Sequence, residues 1–241
     1  MDSRAANLNI RFSFSPNLLG YCGRETAQEK YRNCLRYGRC EGITEELTHF
    51  IVLYPYLQTI ARITGLSPFS YEVAECYWLG SALLNQVKNE HYSILLEEFA
   101  KQGVPQWLIE ELRGNPPKRF IPTHLFQVLH IGVGKASGSV PFSLESINNC
   151  FPRPGKIMSI EGNKITLEGS SIRIQNDSYE LHTTIFSANY SSPFSPHLSV
   201  GDITTVHWGV ASVKLTQKEY TRYLYWSDTV LRLIQPKSYE K

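Results

Sequence analysis

The sequence predicts an α+β protein of two domains, a helical N-terminal domain over residues 1–145 and a small OB-like β-barrel with a C-terminal helix over residues 146–241. Three observations carry this. Through the first half, apolar residues recur at three- and four-residue spacing, the period of helices with one buried face. After Pro141 short β-branched runs alternate with Gly, Asn, Asp and Ser, too closely spaced for helical crossovers, which is the pattern of a small barrel. From Thr216 the chain returns to helical spacing.

The elements follow in order. TAQEKYRNCLRYGR, residues 26–39, spaces Tyr31, Cys34, Leu35 and Gly38 at helical intervals. ITEELTHFIVLYPYLQTIARITG reads as one helix, with a cap and acidic first turn at Thr44-Glu45-Glu46-Leu47, a kink at Pro55, and an end at Gly65 and Pro68. SYEVAECYWLGSALLNQV and HYSILLEEFAKQG give two more helices. PQWLIEELRGN gives a short one between Pro105 and Gly114. PPKRFIP is an extended connector. THLFQVLHIGVGKASGS fits a helix or a buried strand equally. The candidate strands are GKIMSIEG, NKITLEG, SIRIQND, LHTTIFS and ITTVHWGVASV, with tight turns at Gly162-Asn163 and Gly169-Ser170. SANYSSPFSPHLS reads as a surface loop, and the domain boundary falls near residues 140–147.

Composition narrows the function. A formal net charge of +2 without a long basic run argues against a nucleic-acid partner. No stretch approaches the ~20 apolar residues of a membrane span, and the first fifteen residues lack the apolar core of a signal peptide. A cytoplasmic protein without a membrane partner is expected. The five cysteines, Cys22, Cys34, Cys40, Cys76 and Cys150, are odd in number and contain no C-x-x-C pair. Neither a closed disulfide framework nor the usual structural zinc site is expected, and each cysteine is by default a small buried apolar residue.

Two segments depart from that default. Cys150-Phe151-Pro152-Arg153-Pro154-Gly155 places a thiol immediately ahead of a proline-rich turn into a strand. Val200-Gly201-Asp202 and Val206-His207-Trp208-Gly209-Val210-Ala211 follow late in the barrel, ahead of the terminal helix. This order resembles the HypC/HupF family of [NiFe]-hydrogenase maturation chaperones, small OB-like barrels that open with Cys-x-x-x-Pro-Gly and carry V-G-D-x-V-x-V-H-x-G-x-A. The resemblance covers about Asn149 to Gln235.

The resemblance implies a non-enzymatic carrier of iron bearing cyanide and carbon monoxide, with no catalytic residue. Its implied partners are a HypD-type scaffold protein and a hydrogenase large-subunit precursor. Carried over residue by residue, Cys150 is the thiolate ligand and His207 the imidazole ligand, a donor pair suited to low-valent iron. Pro154, Gly155 and Gly209 would shape the site, the last by letting a partner's backbone come close. The chain departs from the family in placing 149 residues ahead of the cysteine, which removes any α-amine beside the thiol. The interval from Cys150 to His207 is also longer than the family's.

The helical domain carries a second candidate site. Cys22 lies in L-G-Y-C-G between Gly20 and Gly23, with His124 and His130 as candidate companions. The plainer reading makes Cys22 a core cysteine in a turn and the two histidines donors to nearby backbone. Tyr77-Trp78-Leu79 reads as core, and Glu97-Glu98 and Glu110-Glu111 as solvated helix faces. The domain's expected role is client recognition. Two other functions stay open: a thiol enzyme using Cys150 and His207 as nucleophile and base, and an OB-type binding module without metal chemistry.

Overall fold

A computed structural model describes residues 2–191 and 194–236. The helical part opens with α1 (Ser3–Leu18), α2 (Ala27–Tyr37), α3 (Ile43–Thr48), α4 (Leu53–Thr64) and α5 (Tyr71–Leu79). Two 3₁₀ turns lead to α6 (Tyr92–Gln102) and α7 (Gln106–Gly114). Next comes α8 (His124–Phe126), which runs on as a π-helical turn over Gln127–Gly132, so the ambiguous stretch is helical. Helix α1 begins at an Asp2 cap and continues through Pro16, a segment whose F-S-F-S alternation hid its helical period. The single helix expected over residues 43–65 is two. Pro55 has no N–H to give, so it is tolerated in a first turn, and a new helix starts at Leu53. Thr44 lies inside α3, whose cap is Gly42 at a φ of 73°.

Helix α9 (Leu144–Cys150) joins the helices to β1 (Arg153–Glu161), β2 (Lys164–Gln175), β3 (Ser178–Asn189), β4 (Ile203–His207) and β5 (Val210–Leu215). The strands close in the order β1-β2-β3-β5-β4, antiparallel except where Asn189 of β3 meets Val210 of β5. This is the five-stranded Greek-key order of an OB-type barrel. Helix α10 (Gln217–Leu233) follows, started by a reciprocal cap between Thr216 and Glu219.

Gly169-Ser170 is not a turn. NKITLEG and SIRIQ form one continuous strand in which Gly155 pairs with Gly169, and a Cβ on Gly169 would run into the Pro154 carbonyl. The missing side chain is what lets β1 close on β2. The turns are Gly162-Asn163, Asn176-Asp177 and Trp208-Gly209, the last two with both central residues at positive φ, as two-residue hairpins require. Within the loop after β3, Ser192 and Pro193 lie outside the described residues.

One cluster of buried side chains runs from Ala5 to Ile234 and includes Phe151, Tyr223, Trp226 and Val230 from the C-terminal part. A smaller cluster around Ile157, Ile165, Leu167 and Val206 fills the barrel. The helical part and the barrel thus share apolar cover at roughly 1.5–3 kcal/mol per fully buried large side chain. The expectation of unbridged cysteines fails at one place. Gly38, left-handed at φ 68°, reverses the chain after α2, brings the Cα atoms of Cys34 and Cys40 to 4.4 Å, and the two form a disulfide. Glu98 is also not a solvated face, since it is buried against Arg62 and Lys101. Among the described residues no helix is long and apolar enough to cross a membrane.

Candidate metal centre

The site lies where the barrel meets the helices. Cys150 is the last residue of α9, a short helix capped by Ser143 and fastened to the barrel by Asn148. The Asn148 amide donates to the Ile172 carbonyl and accepts from the Ile172 N–H, both at 2.8 Å. His207 ends β4, directly before the Trp208-Gly209 turn. The turn is tied down on three sides: Trp208 N–H donates to the Asn149 carbonyl at 2.8 Å, Ser15 Oγ donates to the Trp208 carbonyl at 2.8 Å, and Asn189 N–H donates to the Gly209 carbonyl at 2.8 Å. Trp208 holds a φ of 48° and Gly209 one of 74°. A non-glycine residue there is costly, and the three bonds hold it. Gly209 is therefore required for its backbone angle, because a Cβ there would meet nothing within 4 Å.

Cys150 and His207 do approach each other, but beneath the helices and not on the barrel surface: they are 5% and 1% exposed. His124 joins them from the start of α8, itself 5% exposed. One donor atom from each of the three lies within 4.8 Å of the others. The His124 and His207 ring centroids stand 5.3 Å apart at 86°. Metal–nitrogen and metal–sulfur bonds of about 2.1 and 2.3 Å place neighbouring donor atoms roughly 3–4 Å apart, so the set needs to close by about an ångström around an ion.

The surroundings fix each ring. His207 Nδ1 donates to the Phe12 carbonyl at 2.6 Å, while His207 Nε2, buried, has no hydrogen-bond partner among the described residues. Burial pulls the His207 pKa down to about 4. The Phe12 and Cys150 carbonyls only partly oppose this, the second from outside hydrogen-bond geometry to Nε2. His124 Nδ1 lies 2.9 Å from Tyr77 Oη, and its Nε2 lies 2.9 Å from the Cys150 carbonyl and 3.6 Å from Cys150 Sγ. Burial, then the neighbouring His207, push His124 well below the ordinary imidazole range. The Cys150 thiol is pushed up by burial, with Trp208 opposing. The Trp208 indole N–H stays outside hydrogen-bond geometry and has no partner among the described residues. Trp78 walls the site, its ring 4.5 Å from that of His124 and 5.9 Å from that of His207, and its Nε1–H donates to Asn9 at 2.8 Å.

A cavity of about 350 Å³ adjoins the cluster, lined among others by Ser13, Cys22, Tyr77, His124, Cys150 and Trp208. Cys22 stands at its solvent-exposed rim, hemmed in closely enough that desolvation pushes its thiol up to about 11. Asn17 holds the Cys22 loop by donating to the Cys22 and Arg24 carbonyls at 2.8 and 2.9 Å. The two sites expected from the sequence are therefore one, with Cys22 and His124 facing the same space as Cys150 and His207. His130 is not part of it. Six residues beyond His124, more than a helical turn on, it turns to Tyr92, whose Oη lies 2.9 Å from its Nε2. Pro154 and Gly155 act one step removed, closing β1 on Gly169 behind Cys150.

Sequence reasoning missed Phe12, Ser13, Tyr77 and Trp208 as members of the site. Tyr77 and Trp78 read as core and are buried, yet the Tyr77 hydroxyl is committed to His124 and the Trp78 ring packs on His124 and His207. No local sequence signal could pair Tyr77 with His124, 47 residues on in another helix.

The architecture defines a class: a helical body closed over an OB-type barrel, with a buried Cys/His₂ cluster at the junction. The chain belongs to a family of unknown function, DUF6390, whose model matches residues 1–241. No curated protein and no solved structure matches the chain.

Proposed function

We propose that this chain is a non-enzymatic accessory protein of metal-centre assembly that holds iron through Cys150 and His207, in the manner of a [NiFe]-hydrogenase maturation chaperone. The observation that carries it is the state of His207. Its Nδ1–H is spent on a backbone carbonyl, and its Nε2 lone pair is buried beside a thiol with no hydrogen-bond partner among the described residues. A buried acceptor left unpaired costs about 1–3 kcal/mol unless something binds it. A carbonyl on the far ring nitrogen is the usual outer partner of a metal-bound imidazole. Thiolate with imidazole favours iron, zinc, cobalt or copper over magnesium or calcium. The donor set thus fits a soft or borderline metal cargo, and the resemblance of the Cys-x-x-x-Pro-Gly and V-H-x-G segments supports iron with cyanide and carbon monoxide as that cargo. The same resemblance supports partnership with a HypD-type scaffold and a large-subunit precursor.

A thiol enzyme fits less well. A thiol raised by burial is a poor nucleophile, and a histidine held to about pH 4 is a weak base. Metal analysis of anaerobically purified protein tests the binding: about one iron per chain is expected, and none in Cys150→Ala. Pull-down with a HypD-type scaffold and a hydrogenase precursor tests the role. Iron binding without capture of either partner removes hydrogenase maturation from the proposal, and absence of metal removes the whole of it.

A further inference from the structure

We infer that His124, supplied by the helical body, is a third protein ligand of the metal held by Cys150 and His207. The inference rests on the metal-binding reading above and goes beyond it, because nothing in the barrel's resemblance points to a ligand outside residues 149–235. His124 Nε2 lies 3.6 Å from Cys150 Sγ and belongs to the same 4.8 Å group of donor atoms as His207. It is as deeply buried as the thiol.

The ring is built to present that nitrogen in either of two tautomers. Without metal, Nε2–H can donate to the Cys150 carbonyl while Nδ1 accepts from Tyr77 Oη–H. With the proton on Nδ1, the ring donates to Tyr77 Oη, and the Tyr77 hydroxyl in turn donates to Gln127 Oε1, 3.0 Å away. Nε2 is then an unprotonated lone pair 2.9 Å from the Cys150 carbonyl and 3.6 Å from Cys150 Sγ. A phenol can donate or accept, so the Tyr77–Gln127 pair supports the change at Nδ1, while the Cys150 carbonyl gives up its bond from Nε2–H when metal binds. The backbone leading away from His124 is the π-helical turn over Gln127–Gly132, an irregularity that occurs frequently at functional sites.

One sulfur and two imidazole nitrogens leave at least one coordination position for an exogenous group, as three-ligand sites do. That position has room in the adjoining cavity. Ser13 Oγ and Trp208 Nε1, both buried and without partners among the described residues, belong to its lining residues. The indole N–H can only donate, so it suits an acceptor atom carried by the metal or by the exogenous group.

The test is anaerobic titration of chelator-stripped full-length protein with cobalt(II), the probe metal, read by absorption. Wild type is expected to bind one equivalent with a thiolate-to-cobalt charge-transfer band and visible ligand-field bands. His124→Gln, which keeps an amide for the Cys150 carbonyl, should keep the charge-transfer band, shift the ligand-field bands, and bind on the order of tenfold or more weaker, since even outer partners of a ligand are worth 10–100-fold. Wild-type affinity and unchanged ligand-field bands in His124→Gln, with binding lost in Cys150→Ala and His207→Ala, overturn the third ligand and leave the two-ligand reading standing. No cobalt binding by wild type overturns both. X-ray absorption on the wild-type complex decides without any variant: one sulfur with two imidazoles is expected, and one imidazole overturns the inference.

Discussion

Lowering the pH of metal-free protein from neutrality should destabilise it through His207. The imidazole is neutral in the fold and held to about pH 4, against about 6.5 in the unfolded chain. The direction follows from proton uptake. Between those values the unfolded state binds a proton that the folded state refuses, so stability is complete above about pH 6.5 and is lost as pH falls toward 4. At about 1.4 kcal/mol per pH unit, His207 alone lowers stability by about 2 kcal/mol at pH 5 and about 3 kcal/mol at pH 4. For a chain of this size each kcal/mol moves Tm by about 2–4 °C, so the melt at pH 5 should fall by roughly 4–8 °C from its value at pH 8. His124, also displaced downward by burial and by His207, adds to the fall in the same direction. The assay is calorimetry of chelator-treated wild type and His207→Gln across this range. Glutamine can still donate to the Phe12 carbonyl but takes up no proton, so its melt should depend less steeply on pH. Parallel pH profiles for the two proteins would refute the argument, because they would place the uptake elsewhere.

Tyr77→Phe removes the hydroxyl that holds His124 Nδ1 and should weaken cobalt binding roughly tenfold while the charge-transfer band persists, as a titration against wild type checks. Gly169→Ala puts a methyl into the Pro154 carbonyl where β1 closes on β2, and should cost on the order of 1–3 kcal/mol in a denaturant melt. The fragment of residues 146–241, freed from the helices, uncovers Phe151, Trp226 and Val230, and should show non-cooperative melting and dye binding to exposed apolar surface. A cooperative melt of that fragment would return the junction to the status of a true domain boundary.

Much of the fold was legible because local signals agreed. The amphipathic spacing from Thr216 announced α10, and Gly162-Asn163 announced the first hairpin. Gly169 misled because a glycine that lets strands touch and a glycine that turns the chain look alike until the partner is known. Cys34 and Cys40 misled because their pairing depends on Gly38 reversing the chain between them. In the site, Cys150 and His207 were legible through their segments, and His124 was named but with the wrong companion. Its true partners lie 26 and 83 residues on, and only the docking of α8 against α9 and the Trp208-Gly209 turn brings them to it.

That docking bears on what the first 145 residues are for. The barrel and α9 hold Cys150 and His207, yet neither is finished by them. The carbonyl that orients His207 belongs to Phe12, the hydroxyl that fastens its turn to Ser15, and the third donor and its support to His124 and Tyr77. A barrel without the helices would keep the thiol and the imidazole but lose the bond that sets which imidazole nitrogen carries the proton, and it would expose both to water. The helical body is therefore accounted for by completing the site, from α1 at one side to α8 at the other. Recognition of a client by the helices has to be sought on their outer surface, since their inner one is taken up by the Cys150, His124 and His207 cluster.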